Sequence, residues 1–299
     1  MLQKLRLSHS ALDTFHTCER LFQLNRLLEG APDKEDYPAT VLGKAFGEGV
    51  TTYLLTQDVE KAIFNCWKAY WPILEDDKRT EEKAVFDLLS IIPLLDKLLL
   101  EWEVATFNFK PAIELSFYLE IDDSCYFVGY IDAVLRNKYT GRYGVLENKS
   151  TGLGILDITV PYRNSGQALG YSIALDAIAG EKNADYDVIY AIAQDKTKAN
   201  STWNVTPHVI TFPKTIKDRL NWFITLQMDA ARLRQMRELR IFPQRGSSCL
   251  QYMKPCFHFG TCGLTTLDRE KIIPEDEVVY DFSFKLEDLV VDHLRRMEE

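Results

Sequence analysis

The stretch Gly129–Thr151, "GYIDAVLRNKYTGRYGVLENKST", decides how the chain is read. Two β-rich runs, "GYIDAVL" and "YGVLENK", flank a polar loop, the pattern of two strands joined by a turn. Yet these strands carry Asp132, Glu147 and Lys149. Side chains two apart on a strand share a face, so Glu147 and Lys149 point the same way, and Asp132 on the neighbouring strand can face them. Burying such charges unpaired is costly. Carboxylate oxygens suit hard divalent cations such as Mg2+ or Mn2+. The carbonyl of Asn148 offers a further ligand, and Lys149 can hold a metal-bound water or, if its pKa is lowered, help deprotonate it. A metal and an activated water are the parts that phosphodiester hydrolysis needs. The alternative for a bare D…ExK set is a salt-bridge trio on an exposed sheet face.

The flanks place this hairpin in a larger sheet. Upstream, in "IELSFYLEI", Ile113, Leu115, Phe117, Leu119 and Ile121 alternate with Glu114, Ser116, Tyr118 and Glu120, which predicts a half-buried strand. The polar "DDS" turns the chain into the strand "CYFVGYIDAVL". Downstream, "GQALGYSIALDAIAG" predicts a helix ending at Gly180, with Gln167 and Tyr171 at i and i+4 on one face. An amide and a phenol side by side can bond phosphate oxygens or base edges; a capped, half-buried helix surface is the plainer reading. "DVIYAIAQ" and "STWNVTPHVITF" predict two more strands, "KTIKDRLNWFITLQMDAARLRQMREL" a long helix, and "LEDLVVDHLRRMEE" a short amphipathic one. Towards the N-terminus, Leu12, Phe15 and Phe22 recur near helical period and predict a helix over about 8–28 with Cys18 on it. "VLGKAFGEGVTTYLLT" continues as helix, and residues 58–105 read as helical with Pro93 as a kink or break. A strand meander followed by a helical crossover gives an α/β fold with a mixed central sheet flanked by helices. The expected division is an N-terminal helical region (1–105), a catalytic core (106–245) and a cysteine-bearing region with an acidic tail (246–299).

Composition narrows the classes. Of 299 residues, 46% are hydrophobic, which supports a sizeable core, and the net charge of −9 excludes a wholly basic nucleic-acid binder. Charge is segregated: residues 211–245 carry eight Lys/Arg against three acids, and residues 268–299 carry eleven acids against five bases. The basic run is either a site for an anionic polymer or a solvated helix face. No apolar run reaches transmembrane length, and the N-terminus lacks the apolar region and cleavage site of a signal peptide. A cytosolic protein without a membrane partner is expected. Among six cysteines, Cys18, Cys249, Cys256 and Cys262 look organised, while Cys66 and Cys125 read as small apolar residues. Four thiolates suit either an iron–sulfur cluster or zinc; the spacing lacks the C-x2-C knuckle frequent in zinc sites.

Taken together, "GYIDAV", "VLENK" and "GQALGY" resemble the GxxD, (D/E)xK and QxxxY motifs of the PD-(D/E)XK nuclease superfamily, and in particular its RecB-like branch, which includes CRISPR-adaptation nucleases and phage exonucleases. "SHSALDTFHTCERLF" is similar to that branch's opening segment and "FPQRGSSCLQYMKPCFHFGTC" to its late cysteine group. The resemblance runs from about residue 7 to 263. It implies a restriction-endonuclease-like core and a DNA exonuclease acting in recombination, repair or phage DNA metabolism. It implies that Asp132 and Glu147 bind metal, that Lys149 is the catalytic lysine, that Gln167 and Tyr171 hold the DNA strand, and that Cys18, Cys249, Cys256 and Cys262 ligate a [4Fe–4S] cluster. The alternatives are an inactive DNA-binding or assembly module and a site-specific endonuclease. Two positions depart from the pattern. Gly47 stands where many relatives place a ligating His, leaving Glu48 and Glu114 as rival substitutes, and Glu19 replaces the usual Pro after the first cysteine.

Overall fold

The computed structural model describes residues 3–28, 38–70, 78–197, 202–251, 254–263 and 278–299. The chain opens with β1 (Leu5–Leu7), α1 (His9–Thr17), α2 (Glu19–Phe22) and a π-helical turn at Gln23–Leu27. Helices α3 (Pro38–Thr56), α4 (Val59–Tyr70) and α5 (Lys78–Glu101) follow. Then come β2 (Trp102–Val104), β3 (Thr106–Phe107), β4 (Lys110–Pro111), β5 (Ile113–Glu120), β6 (Cys125–Asn137) and β7 (Tyr143–Thr151). A helical stretch holds α6 (Ile155–Arg163), α7 (Gly166–Tyr171) and α8 (Leu175–Ala179), and leads to β8 (Asp185–Asp195), β9 (Val205–Thr215) and α9 (Ile216–Leu239). Two short strands, β10 (Leu250–Gln251) and β11 (Lys254–Pro255), precede β12 (Phe282–Lys285) and α10 (Leu286–Glu298). Two compact units emerge: Met1–Glu35, Phe117–Gly129 and Phe223–Asp292 form one, and Asp36–Ser116, Tyr130–Trp222 and His293–Glu299 the other.

The second unit carries the opening hairpin. Here β6 pairs antiparallel with β7 from Ala133–Leu146 to Arg136–Tyr143. Strand β7 runs parallel to β8 over Gly144–Thr151, and β8 antiparallel to β9 along its whole length. A parallel pair needs a crossover, and α6–α8 supply it, so the sheet is mixed, as the element order predicts. Residues Tyr186–Asp195 of β8 are all buried, which is why "DVIYAIAQ" reads as one apolar run: a strand covered on both faces has no solvent side to mark with polar residues. Phe46, Val50, Leu88, Ile91 and Leu95 of α3 and α5 share one core with Ala133, Leu135, Leu146, Ile189 and Ala191 of the sheet. Pro93 lies inside α5 without ending it.

In the first unit, β1 runs parallel to the start of β6 (Leu5–Cys125 to Leu7–Phe127), and β12 parallel to β5 (Phe282–Phe117 to Lys285–Glu120). Gly129 is required here, because a Cβ at that position would overlap the Phe117 ring. The single helix expected over 8–28 is broken. Cys18 is extended (φ −165°, ψ 119°) and ends α1. Its N–H bonds to the Thr14 carbonyl and its own carbonyl accepts from Phe22, while the Arg20 N–H leaves the helical ladder for the Pro243 carbonyl. Likewise, the helix expected over 166–180 is α7, a 3-10 turn at Ser172–Ala174 and α8, capped by Gly180 at φ +67°. Helix α6 and the β3–β4 hairpin have no counterpart in the sequence expectation. Among the described residues no helix is long and apolar enough to cross a membrane.

Candidate active site

Asp132, Glu147 and Lys149 meet at the end of the β6–β7 ladder. Beyond the Ala133–Leu146 rung, the Asn148 N–H of β7 donates to Asp132 Oδ2 at 2.9 Å, so the carboxylate takes over a ladder partner's role. Lys149 Nζ donates to Glu147 Oε1 at 2.5 Å and to Gln167 Oε1 at 2.8 Å. Gln167 Nε2 in turn donates to Tyr171 Oη at 2.8 Å. The i, i+4 spacing on α7 thus delivers an amide and a phenol to the lysine in one hydrogen-bonded chain. Helix α7 is seated by two glycines: a Cβ at Gly166 would lie 3.1 Å, and one at Gly170 2.7 Å, from the Trp222 indole.

The electrostatics are those of a crowded acidic site. Glu147 is 2% exposed, and its Oε2 has no hydrogen-bond partner. Desolvation, then the charge of Asp132, push its carboxyl up to about 8, against the pull of Lys149. Desolvation also raises half-buried Asp132, despite the Asn148 N–H and Lys149. Burial alone would lower Lys149, but the charge and hydrogen bond of Glu147 more than offset it, and the net shift is upward. Without a metal, Lys149 is therefore held as a cation by Glu147. Glu114 keeps solvent contact; desolvation, then Asp132 and Glu48, push its carboxyl to about 7. It sits at φ +50°, a left-handed conformation inside what sequence alternation reads as regular strand. Glu48 therefore comes within electrostatic reach of the site, and a Cβ on Gly47 would meet nothing within 4 Å.

Two carboxylates that repel one another, one with an unpartnered buried oxygen, have the donor chemistry that suits a hard divalent cation. Among the described residues, no group of three His, Cys, Asp or Glu has the geometry to hold a metal. The fit therefore rests on the Asp132–Glu147 pair.

A model of the PD-(D/E)XK nuclease superfamily matches residues 6–262. The chain belongs to the PD-(D/E)XK nuclease superfamily. No curated protein matches it. Among solved structures it is similar to a protein from Eubacterium rectale provisionally named an exonuclease. That match has 14% identity over 82% of this chain and 85% of that one, with a TM-score of 0.48. It is also similar to SSO0001, at 14% identity over 68% of this chain and 86% of that one, with a TM-score of 0.28.

Cys18, Cys249, Cys256 and Cys262 all lie in the first unit and are free thiols, but among the described residues no three of them come together as a metal-holding group, so the structure does not show the expected cluster. The Cys256 N–H donates to the Cys249 carbonyl at 2.8 Å. Desolvation raises the Cys262 thiol, Arg20 opposes this, and Cys18 and Cys256 add to it, which marks the three as neighbours. Glu19, in place of the usual Pro, is 2% exposed and binds Arg232 and Arg245. His258, inside the cysteine group, bonds Asn25. Cys66 and Cys125 are buried, and burial pushes both thiols up to about 12, as inert apolar residues require.

Most of the basic residues at 211–245 have partners within the chain, although Arg232, Arg234 and Arg245 remain at the surface. Lys214 bonds the Arg163 carbonyl, Arg219 is buried against Asp176, Arg234 binds Asp122, Arg237 binds the Gln3 carbonyl, and Arg232 and Arg245 share Glu19. Trp203 stacks on Phe86 with ring centroids 4.7 Å apart, and Trp222 packs on α7, so neither is a free stacking platform.

Sequence reasoning missed Tyr162 and a network behind β7. Tyr162 of α6 lies within electrostatic reach of Lys149 and Glu147, its ring stacked on Tyr190 at 4.7 Å. Ser150 donates to the fully buried Asp87, which Lys83 links to Asp195. Alternation puts Ser150 opposite Lys149, a signal that could have been used; nothing in the helical pattern of α5 marks Asp87.

Proposed function

We propose that this protein is a divalent-metal-dependent deoxyribonuclease, an exonuclease hydrolysing phosphodiester bonds in recombination, repair or phage DNA metabolism. The observation that carries the reading is the convergence of Asp132, Glu147 and Lys149 at one strand end, with an unpartnered oxygen on buried Glu147. Asp132 and Glu147 would hold Mg2+ or Mn2+; Glu114, which forms no three-ligand group with them as they stand, would have to close on the ion to join them. When bound, the metal offsets charge on the phosphate and activates water. Lys149, kept cationic by Glu147, has donor capacity beyond its two protein bonds to give a phosphate oxygen. Gln167 fixes the lysine and, with Tyr171 behind it, would help hold the strand to be cut. In this reading residues 106–245 form the nuclease core, between the helical region 1–105 and the cysteine region 246–299.

We further propose that Cys18, Cys249, Cys256 and Cys262 hold a [4Fe–4S] cluster, with zinc as the alternative. Four free thiols in one unit have the donor chemistry for either.

A second reading, a DNA-binding module without catalysis, draws on Gly47, which removes a potential imidazole ligand. The two part in one experiment. Anaerobically purified protein is incubated with end-labelled single- and double-stranded DNA, with Mn2+ or with chelator. Metal-dependent release of label by wild type, absent in Asp132→Ala and Glu147→Ala, supports the nuclease. Equal cleavage by all three ends it.

A further inference from the structure

We propose that the β3–β4 hairpin is a substrate pin: the Phe109 ring at its tip stacks on a base of the DNA strand whose backbone occupies the Asp132–Glu147–Lys149 site. The proposal rests on the nuclease reading and names how that site would grip its substrate.

The hairpin turns through two residues, Asn108 at φ +49° and Phe109 at φ +62°. Such a turn needs the left-handed conformation at both positions, which is why Asn-Gly is the preferred pair. Asn108 fits that rule. Phe109 occupies the glycine position, where a bulky residue is an outlier. Its side chain is fully exposed, so the ring contributes nothing to the core. A strained backbone that carries an apolar group into solvent gains the fold nothing, and strain of this kind gathers at ligand clamps.

The base of the hairpin is tied to the catalytic strand. The Ala112 N–H donates to the Ala105 carbonyl at 2.7 Å, the Ala105 N–H to the Val134 carbonyl at 2.8 Å, and the Val134 N–H to the Ala112 carbonyl at 2.8 Å. Val134 is two residues from Asp132 on β6, and the outgoing strand reaches Glu114 two residues after Ala112. The tip is thus a short lever fixed to the proposed metal ligands. Three residues of strand carry it about 10 Å from β6.

Charge and chemistry favour DNA over a protein strand. Exposed Lys110 sits beside Phe109 and can pair with a phosphate, and an aromatic ring with an adjacent cation is the recurring grip on single strands. Pro111 in the outgoing strand lacks the N–H that strand addition by another chain would use.

The experiment measures binding of a fluorescent single-stranded oligonucleotide in chelator, then single-turnover cleavage with Mn2+, for wild type, Phe109→Ala and Phe109→Trp. Phe109→Ala should bind about tenfold more weakly, the scale of one lost base stack, and Phe109→Trp should restore binding. The melting temperature of Phe109→Ala should not fall, because the ring has no contacts to lose. Moving an abasic site step by step along the strand on either side of the cut should reproduce the same deficit with wild type at one position, and should add nothing in Phe109→Ala. If wild type binds DNA and Phe109→Ala binds and cuts it equally well, the pin is refuted and the nuclease reading stands. A lowered melting temperature makes the ring a structural group and also refutes the pin. If wild type binds no DNA, the nuclease reading falls and takes the pin with it.

Discussion

Replacing Glu147 by Gln should stabilise the metal-free protein at high pH and leave it nearly unchanged at low pH. The folded-state carboxyl is raised from 4.5 to about 8 by desolvation and by Asp132. The folded protein therefore binds this proton more tightly than the unfolded chain does. The contribution of Glu147 to stability is fully present below pH 4.5, declines through the window from 4.5 to about 8, and is lost above it. Each pH unit in that window is worth about 1.4 kcal/mol. Its full width sets a ceiling of about 5 kcal/mol, which water penetration and relaxation reduce. Glu147→Gln keeps the shape and removes the titration, so the gap between variant and wild type should open from pH 5 to pH 9 by several kcal/mol. Urea denaturation in chelator at pH 5, 7 and 9 measures it. Saturating Mn2+ should then close the gap by stabilising wild type alone, by about 2.7 kcal/mol at a hundred times Kd. A gap that does not change with pH would refute the reasoning, because Glu147 would then not be a strained buried acid.

The other predictions concern how the site is seated and completed. Gly170→Ala puts a Cβ 2.7 Å from the Trp222 indole; overpacking should cost about 1–3 kcal/mol, less up to about 1 kcal/mol of helix propensity, with a larger fall in kcat than in thermal stability as Gln167 leaves Lys149. Gly47→His meets open space at its Cβ and should fold normally and tighten Mn2+ binding in calorimetric titration; unchanged affinity would show that position 47 does not face the metal. Anaerobic protein should carry about four irons per chain, and Cys18→Ser, Cys249→Ser, Cys256→Ser or Cys262→Ser should lose iron and stability together, whereas Cys66→Ser should keep its iron. Zinc in elemental analysis would replace the cluster with a zinc site.

Much of this was legible in the sequence because it depends on period. Strand alternation put Glu147 and Lys149 on one face, and the i, i+4 rule put Gln167 beside Tyr171; the hydrogen bonds from Lys149 to Glu147 and Gln167 follow directly. The breaks were not legible, because they are set by long-range partners. Cys18 interrupts its helix where the Arg20 N–H finds the Pro243 carbonyl, more than 200 residues away. The balance at metal-free Lys149 was not legible either, since burial alone lowers its pKa and only the contact with Glu147 shows that attraction wins there. The basic run looked like a free patch because a sequence cannot show that Arg219 is buried on Asp176 or that Arg232 and Arg245 share Glu19. The Phe109 turn was hidden because a two-residue hairpin is recognised by glycine, and here there is none.

The most direct test of the central claim separates binding from chemistry at Lys149. Lys149→Ala and wild type are compared for affinity to a single-stranded oligonucleotide in chelator, and for single-turnover cleavage of the same end-labelled strand with Mn2+. If Asp132, Glu147 and Lys149 form the hydrolytic centre, Lys149→Ala should bind DNA within a few-fold of wild type and cut it slower by about 100-fold or more. Wild-type cleavage rates in Lys149→Ala would contradict the account.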